Sequence, residues 1–301
     1  MRVHSMNCAT MCPPGRRLMD GRQGARGPAV LSCHCLLVES GDRLILCDTG
    51  FGLEDVRHPQ RLSALFRRVL CRPRLREEDT AVRQIARLGF DPGDVTDIIL
   101  THLDFDHAGG LDDFPAARVH LLEDERENAA RQATWKQRAR FRPAQWGSMD
   151  RWLTYRPEGE TWFGFEAVCD LDGLPPDILI VPLAGHTLGH AGIAVRERDR
   201  WLLHAGDAYF FREEMNPELP RCTPGLRLYQ RFMEEDRAMR LANQHRLRTL
   251  EREHGDRVRI FCAHDVVELE ALAAEQARGI SWAPSRRRVV ERRLGLVPEP
   301  A

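Results

Sequence analysis

The 301-residue sequence predicts a mixed α/β protein in which two β-sheets are covered on the outside by helices. Short apolar runs bounded by Gly, Asp and Pro recur along the chain, as strands do. The first two are joined by Ser40-Gly41-Asp42, a tight-turn sequence that suits a hairpin. Later runs alternate with helix-like stretches, and the order of strand pair followed by alternation occurs twice, which suggests two sheets.

In chain order, the expected strands are 31–38, 43–47, 97–101, 118–122, 178–181, 191–195, 201–204 and 258–262. Helix-like stretches fall at 59–70, 79–88, 123–133, 226–254 and 266–275. Asp79-Thr80 and Gly89 bracket the second of these with ordinary start and stop residues. In the long charged stretch from Leu226, the apolar side chains Leu228, Phe232 and Met239 are expected to face the body of the protein. Segment 132–174 is patterned differently. It holds four of the six tryptophans (Trp135, Trp146, Trp152, Trp162), with Phe163 and Phe165, and weak regular periodicity. It reads equally as a lid or substrate wall and as an apolar cluster under a long loop, within a single domain spanning 1–301. The Arg-rich tail, 285–301, is expected to be peripheral.

The 44 basic and 45 acidic residues leave a net charge of −1, which argues against a protein built to coat nucleic acid or an anionic membrane. No run of 18 apolar residues exists, so no transmembrane helix is expected. The amino terminus lacks the continuous apolar core of a secretory signal. Nine unevenly spread cysteines do not form a disulfide pattern, so reduced thiols and a cytoplasmic location are expected. Cys8, Cys12, Cys33 and Cys35 read as small buried side chains rather than a metal knot.

The chemistry concentrates in Thr101-His102-Leu103-Asp104-Phe105-Asp106-His107-Ala108-Gly109-Gly110, just past a strand. Two imidazoles and two carboxylates on one loop suit a divalent metal, since so many desolvated charges need a counter-charge. Leu103 and Phe105 alternate with them and are expected to point into the core. Three further residues follow apolar strands in the same way: His186 in Gly185-His186-Thr187-Leu188-Gly189-His190, Asp207 in Gly206-Asp207, and His264 after Cys262-Ala263.

These motifs, with Asp48 in Cys47-Asp48-Thr49-Gly50, resemble the metallo-β-lactamase-fold hydrolase superfamily from about Leu31 to His264. The resemblance implies an αβ/βα four-layer sandwich: two mixed sheets flanked by helices, with metals in a groove at one edge. It implies a first metal held by His102, His186 and the residue at 104, and a second held by Asp106, His107 and His264, with Asp207 bridging. The common pattern is His-x-His-x-Asp-His, and this chain departs from it with Asp104. Either Asp104 ligates and favours a harder ion, or the position is emptied and one metal serves. Zinc is the first expectation, with iron or manganese as alternatives. Two such ions would move the formal charge from −1 to +3.

The same resemblance implies a hydrolase that uses a metal-bound hydroxide on a small ester, lactone or thioester. Asp106 orients the nucleophile and passes on its proton, and Asp48 fixes a ligand imidazole through its ring N–H. His190 reads as a supporting residue rather than a ligand, and His34, His120 and His204 as packing residues. Tyr209 is a candidate donor to a developing oxyanion. The Ala-Gly-Gly after the cluster and the Gly-His-Thr segment look most like the lactonase branch. The aromatic segment from Trp135 to Phe165 would suit an acyl chain. Alternatives are a glyoxalase II-like thioester hydrolase, disfavoured because no basic pocket is evident in the terminal third, and a di-iron oxidoreductase, for which no flavin-binding domain is seen. A small-molecule substrate is expected, with neither nucleic acid nor membrane as partner; a homo-oligomer is compatible with the sequence.

Overall fold

A computed structural model describes residues 1–22, 27–147 and 149–278; the tail 285–301 lies outside the described residues. The strands are β1 (Arg2–Met11), β2 (Leu31–Ser40), β3 (Arg43–Cys47), β4 (Pro73–Arg74), β5 (Val95–Ile99), β6 (Arg118–Leu122) and β7 (Trp152–Tyr155), which form one sheet in the order β4-β1-β2-β3-β5-β6-β7. The second sheet runs β13-β12-β11-β10-β9-β8, from β8 (Glu160–Trp162), β9 (Phe165–Asp170), β10 (Ile178–Pro182), β11 (Ala191–Glu197), β12 (Arg200–His204) and β13 (Val258–Phe261). The β2–β3 hairpin pairs Ser40 with Arg43 across the expected turn.

Alternating side chains explain the layering. One face of the first sheet (Leu36, Val38, Ile45, Ile99) meets one face of the second (Ile178, Ile180, Ile193, Val195) in a shared core. The opposite face of the first sheet (Leu37, Leu46, Ile98, Val119) packs with Ala81, Ile85 and Ala129 from helices. The opposite face of the second (Leu203, Val258, Ile260) is covered by Leu247 and Leu250 of helix Arg237–His254. The result is helix, sheet, sheet, helix. No helix among the described residues is long and apolar enough to cross a membrane.

Four expectations change. The stretch 226–254 is not one helix but two, Pro224–Met233 and Arg237–His254, and Leu228, Phe232 and Met239 are exposed. The break at 234–236 has a use: the backbone N–H groups of Glu235 and Asp236 donate to the Gly185 carbonyl at 2.9 and 3.0 Å. Expected helix 59–70 is a short 3₁₀ turn, Pro59–Arg61, and a π turn, Phe66–Leu70. Segment 132–174 holds regular elements, helices Trp135–Arg140 and Pro143–Trp146, edge strands β7 and β8, and β9 between β8 and β10. Finally, β1 was not anticipated; a register shift between Asn7 and Thr10 breaks its alternation.

Candidate metal centre

The polar residues singled out from the sequence converge because each follows the carboxyl end of a strand at the same edge of the sandwich. Asp48 follows β3, His102 follows β5, His186 follows β10, Asp207 follows β12 and His264 follows β13. All are buried, together with Asp104, Asp106 and His107. One atom from each of His102, Asp104, His186 and Asp207 falls within 4.8 Å of the others, as do atoms of His107, Asp207 and His264. A third such group joins Asp106 and His264 to Cys33, which the sequence had offered only as a small buried side chain.

The backbone prepares this edge. Asp48 adopts φ 53°, the left-handed region that an aspartate tolerates better than most residues. Its Oδ1 accepts the Thr101 backbone N–H at 2.8 Å, and its Oδ2 accepts the Thr101 hydroxyl at 2.8 Å. Gly185 has φ 138°, and a Cβ there would lie 2.3 Å from the Arg240 backbone nitrogen, so the loop bearing His186 requires glycine.

Three imidazoles are fixed by what their Nδ1 atoms do. His107 Nδ1 donates to Asp48 Oδ2 at 2.8 Å, His102 Nδ1 to the Thr101 hydroxyl at 2.9 Å, and His264 Nδ1 to the Ser32 carbonyl at 2.6 Å. In each ring this leaves Nε2 facing inward. The Nε2 atoms of His102 and His107 are buried with no hydrogen-bond partner, and so is Asp207 Oδ1. His107 Nε2 lies 3.3 Å and His264 Nε2 3.1 Å from that same Asp207 oxygen. Inward lone pairs around a carboxylate are the chemistry of a cation site, so the residues at the second position fit a divalent ion.

At the first position the fit fails on one observation. Arg140, at the end of helix Trp135–Arg140, is buried, and its Nη2 lies 2.6 Å from Asp104 Oδ2 and 2.7 Å from His186 Nε2. Its Nε donates to Asp104 Oδ1 at 2.7 Å. An antiparallel bridge between Asp104 and Phe141 brings the two segments together, and the helix starts in a capping box between Thr134 and Gln137.

Electrostatics follow from burial and these pairings. Burial opposes the Asp104 carboxylate most strongly, but Arg140 together with His102 and His186 outweighs it and holds the pKa well below the usual range. Burial also opposes the His107 cation, yet Asp207 and Asp48 raise its pKa well above the ordinary value. Burial and the neighbouring His107 push His102 down to about 4. Asp106 is raised, chiefly by burial, which His107 and His264 only partly offset.

The supporting residues fall as follows. His190 accepts the Asp207 backbone N–H at Nε2 (2.9 Å) and gives Nδ1–H to the Leu183 carbonyl (3.0 Å), so it shapes the Asp207 loop and has no lone pair left for an ion. Tyr209 is not brought to the cluster: its hydroxyl donates to the Glu268 carboxylate at 2.9 Å, within the core of the second sheet. The neighbouring Phe210 takes the inward side instead, with its ring stacked on His264 at 5.0 Å. Tyr229, missed from the sequence, packs on Phe210 at 5.6 Å, and burial together with nearby Cys71 and Asp106 raises its phenol well above the ordinary value. Of the packing histidines, His120 lies between Asp97 (2.9 Å) and Tyr155 (2.8 Å). A basic pocket does exist in the terminal third, contrary to expectation: a cavity of about 310 Å³ lined by Arg221, Arg227, Arg231, Arg237, Arg240 and Arg248, which shares no residue with the cluster.

Comparison with known proteins agrees with the fold. The Metallo-beta-lactamase superfamily profile matches residues 28–264. A protein named "Probable metallo-hydrolase" from Mycobacterium tuberculosis is 39% identical over 277 residues, 92% of this chain and 84% of the relative. An N-acyl homoserine lactonase from Bacillus thuringiensis is 27% identical over 215 residues, 69% of this chain and 78% of the relative. Among solved structures, an N-acyl homoserine lactone hydrolase with N-hexanoyl-L-homoserine bound at its catalytic metal centre superposes with a TM-score of 0.65 at 20% identity, covering 94% of this chain and 98% of that one. AidC, a dizinc quorum-quenching lactonase, superposes with a TM-score of 0.56 at 18% identity, covering 87% and 86%. The match over 28–264, on a four-layer sandwich whose strand ends gather four histidines and the aspartates at one edge, makes the chain a member of the metallo-β-lactamase superfamily.

Proposed function

We propose that this metal-dependent hydrolase opens a small lactone or related ester, with an N-acyl lactone as the first substrate to test. The observation that carries the reading is the set of inward Nε2 atoms of His102, His107 and His264 around Asp207, adjoining an apolar cluster that includes Phe51, Phe66, Phe105 and Phe210. The lactonase relatives give it further support.

A divalent ion, when bound, makes water acidic enough to supply a nucleophile at neutral pH and polarises the substrate carbonyl. His107, His264, Asp106 and Asp207 are the residues that would hold it, and zinc is the ion to try first, with manganese and iron as comparisons. The chain's own groups do the rest. Asp48 keeps the His107 ring in the tautomer that offers Nε2. Asp106, whose Oδ2 lies 3.7 Å from His264 Nε2, is the group to take a proton from the attacking water and deliver it to the leaving oxygen. Phe66, tilted against Phe105 at 4.1 Å, and Phe210 belong to a buried apolar cluster beside these residues, which would keep water from the site and is the candidate neighbour for an acyl chain.

The test is a hydrolysis screen of N-acyl homoserine lactones, simple aliphatic lactones, aryl esters and glutathione thioesters, using protein reconstituted with each metal. Lactones turned over with the highest kcat/KM would support the reading. Turnover of glutathione thioesters alone would replace it with the thioester hydrolase, for which the arginine-lined cavity would supply anion contacts. Redox activity with two irons and no hydrolysis would replace it with the oxidoreductase.

A further inference from the structure

The Arg140 guanidinium has five N–H donors, and all five are used inside the protein. Nε and Nη2 grip the two oxygens of Asp104 at 2.7 and 2.6 Å. The second Nη2 hydrogen goes to His186 Nε2 at 2.7 Å, and Nη1 donates to the carbonyls of His186 and Met233, each at 3.1 Å. His186 Nε2 also lies 3.1 Å from Asp104 Oδ2 and 3.3 Å from Asp207 Oδ2, so the guanidinium and two carboxylates enclose it. Asp104 Oδ2 and His186 Nε2 thus both lie within hydrogen-bond distance of one nitrogen atom of Arg140. Those are two of the three atoms that the family pattern would direct at the first metal.

The arrangement resists displacement. Arg140 is 2% exposed, and its chain is held by the Asp104–Phe141 bridge and the two carbonyls, so it has no solvated position to retreat to. An ion at the first position would remove both anchors and leave a buried cation beside a divalent one, a costly arrangement. Arg140 also accounts for the departure at position 104. A carboxylate matches the guanidinium fork with two parallel hydrogen bonds, which an imidazole cannot do.

We infer that Arg140 stands in for the first metal, and that the chain carries a one-metal centre built on His107, His264, Asp207 and Asp106. The inference rests on the proposed reading of the cluster as a metal centre. Arg140 supplies fixed positive charge and holds Asp104 and His186 in place, and with every donor spent it does not touch substrate. It is a positioning residue. The His102 Nε2, left without a metal partner, is buried 3.3 Å from Asp104 Oδ2 and 3.9 Å from Asp207 Oδ2.

The test counts ions and needs no substrate. Full-length protein is stripped with chelator, reloaded with excess Zn²⁺ or Mn²⁺, desalted and assayed for bound metal, and the Mn²⁺ form is examined by electron paramagnetic resonance. The inference expects one equivalent and the spectrum of an isolated ion. In Arg140→Gln, which releases Asp104 and His186, it expects a second equivalent and a spin-coupled pair. Arg140→Lys keeps a charge without the fork and is expected to stay near one. Two equivalents in the wild type, or only one in a folded Arg140→Gln, would overturn the inference and leave the hydrolase reading standing. No bound metal would overturn both. If Arg140→Gln does not fold, Asp104→His combined with Arg140→Gln restores the common ligand pattern, and a count of one there would equally overturn it.

Discussion

The Asp48 carboxylate lies 2.8 Å from His107 Nδ1 and 2.8 Å from the Thr101 hydroxyl, which in turn accepts from His102 Nδ1. One carboxylate thus sets the tautomers of two rings. Asp48→Asn keeps a side chain that tolerates the left-handed backbone but supplies weaker hydrogen-bond acceptance. It is expected to weaken Zn²⁺ affinity by about 10- to 100-fold with an unchanged far-UV circular dichroism spectrum. Chelator competition measures the affinity; a wild-type value would remove Asp48 from this role.

Asp106→Ala removes the group assigned to hold and move the proton. Its buried carboxyl adds to the negative charge around Asp207, so the apo fold should lose little stability. Hydrolysis should fall by at least about 10²-fold. Steady-state kinetics beside a thermal melt check both halves, and a fully active variant would sink the assignment.

Two tyrosines make opposite predictions. Tyr209→Phe deletes the bond to Glu268 in the core and should lower stability by about 1–2 kcal/mol while preserving kcat/KM. Tyr229→Phe, beside Phe210, should lower kcat/KM and leave the melting temperature near its starting value. A loss of kcat/KM in Tyr209→Phe would restore Tyr209 as the oxyanion donor, and an unchanged kcat/KM in Tyr229→Phe would leave Tyr229 as packing alone.

Asp55 gives a pH signature outside the cluster. Burial pushes its carboxyl up to about 7, although Arg61 and Gln145 act against the rise, and its Oδ1 has no hydrogen-bond partner. In the unfolded chain an aspartate titrates near 3.9, so between about pH 4 and 7 the folded protein binds the extra proton. This group's contribution is therefore fullest below about pH 4 and is lost as pH rises to about 7. The loss is on the order of 2–4 kcal/mol. Urea unfolding at several pH values should show the decline, and Asp55→Asn should reduce its slope, leaving the part due to Glu125 and Asp113, which burial also raises. An unchanged slope in the variant would exclude Asp55 as its source.

The cluster at 102–107 was legible because metal-binding side chains and the strand ends that display them are both local features. Each of the eight expected strands has a counterpart within two residues, because their apolar runs are buried in the two sheets. β1 was hidden by its bulge, where Ala9 takes φ 149°. Tyr209 was misplaced because one residue of offset decides which side chain faces the site, and Phe210 is the one that does. Arg140 could not have been selected from among so many arginines. Its position depends on a bridge that spans the interval from residue 104 to residue 141, and no local pattern encodes that contact.

The bond from His264 Nδ1 to the Ser32 carbonyl joins residues 232 positions apart. The Ser32 and His34 backbone N–H groups also donate to the carbonyls of His264 and Ala263, so the segment after β13 closes against β2. During synthesis, His102, Asp106, His107, His186 and Asp207 all emerge before this closure can form. A ribosome-bound chain halted ahead of β13 has made most of the donors but not the pocket that holds them together. If the cluster holds an ion as proposed, its capture is tied to completion of the second sheet, and a cleavage between 207 and 258 that released the last segment would release the ion with it.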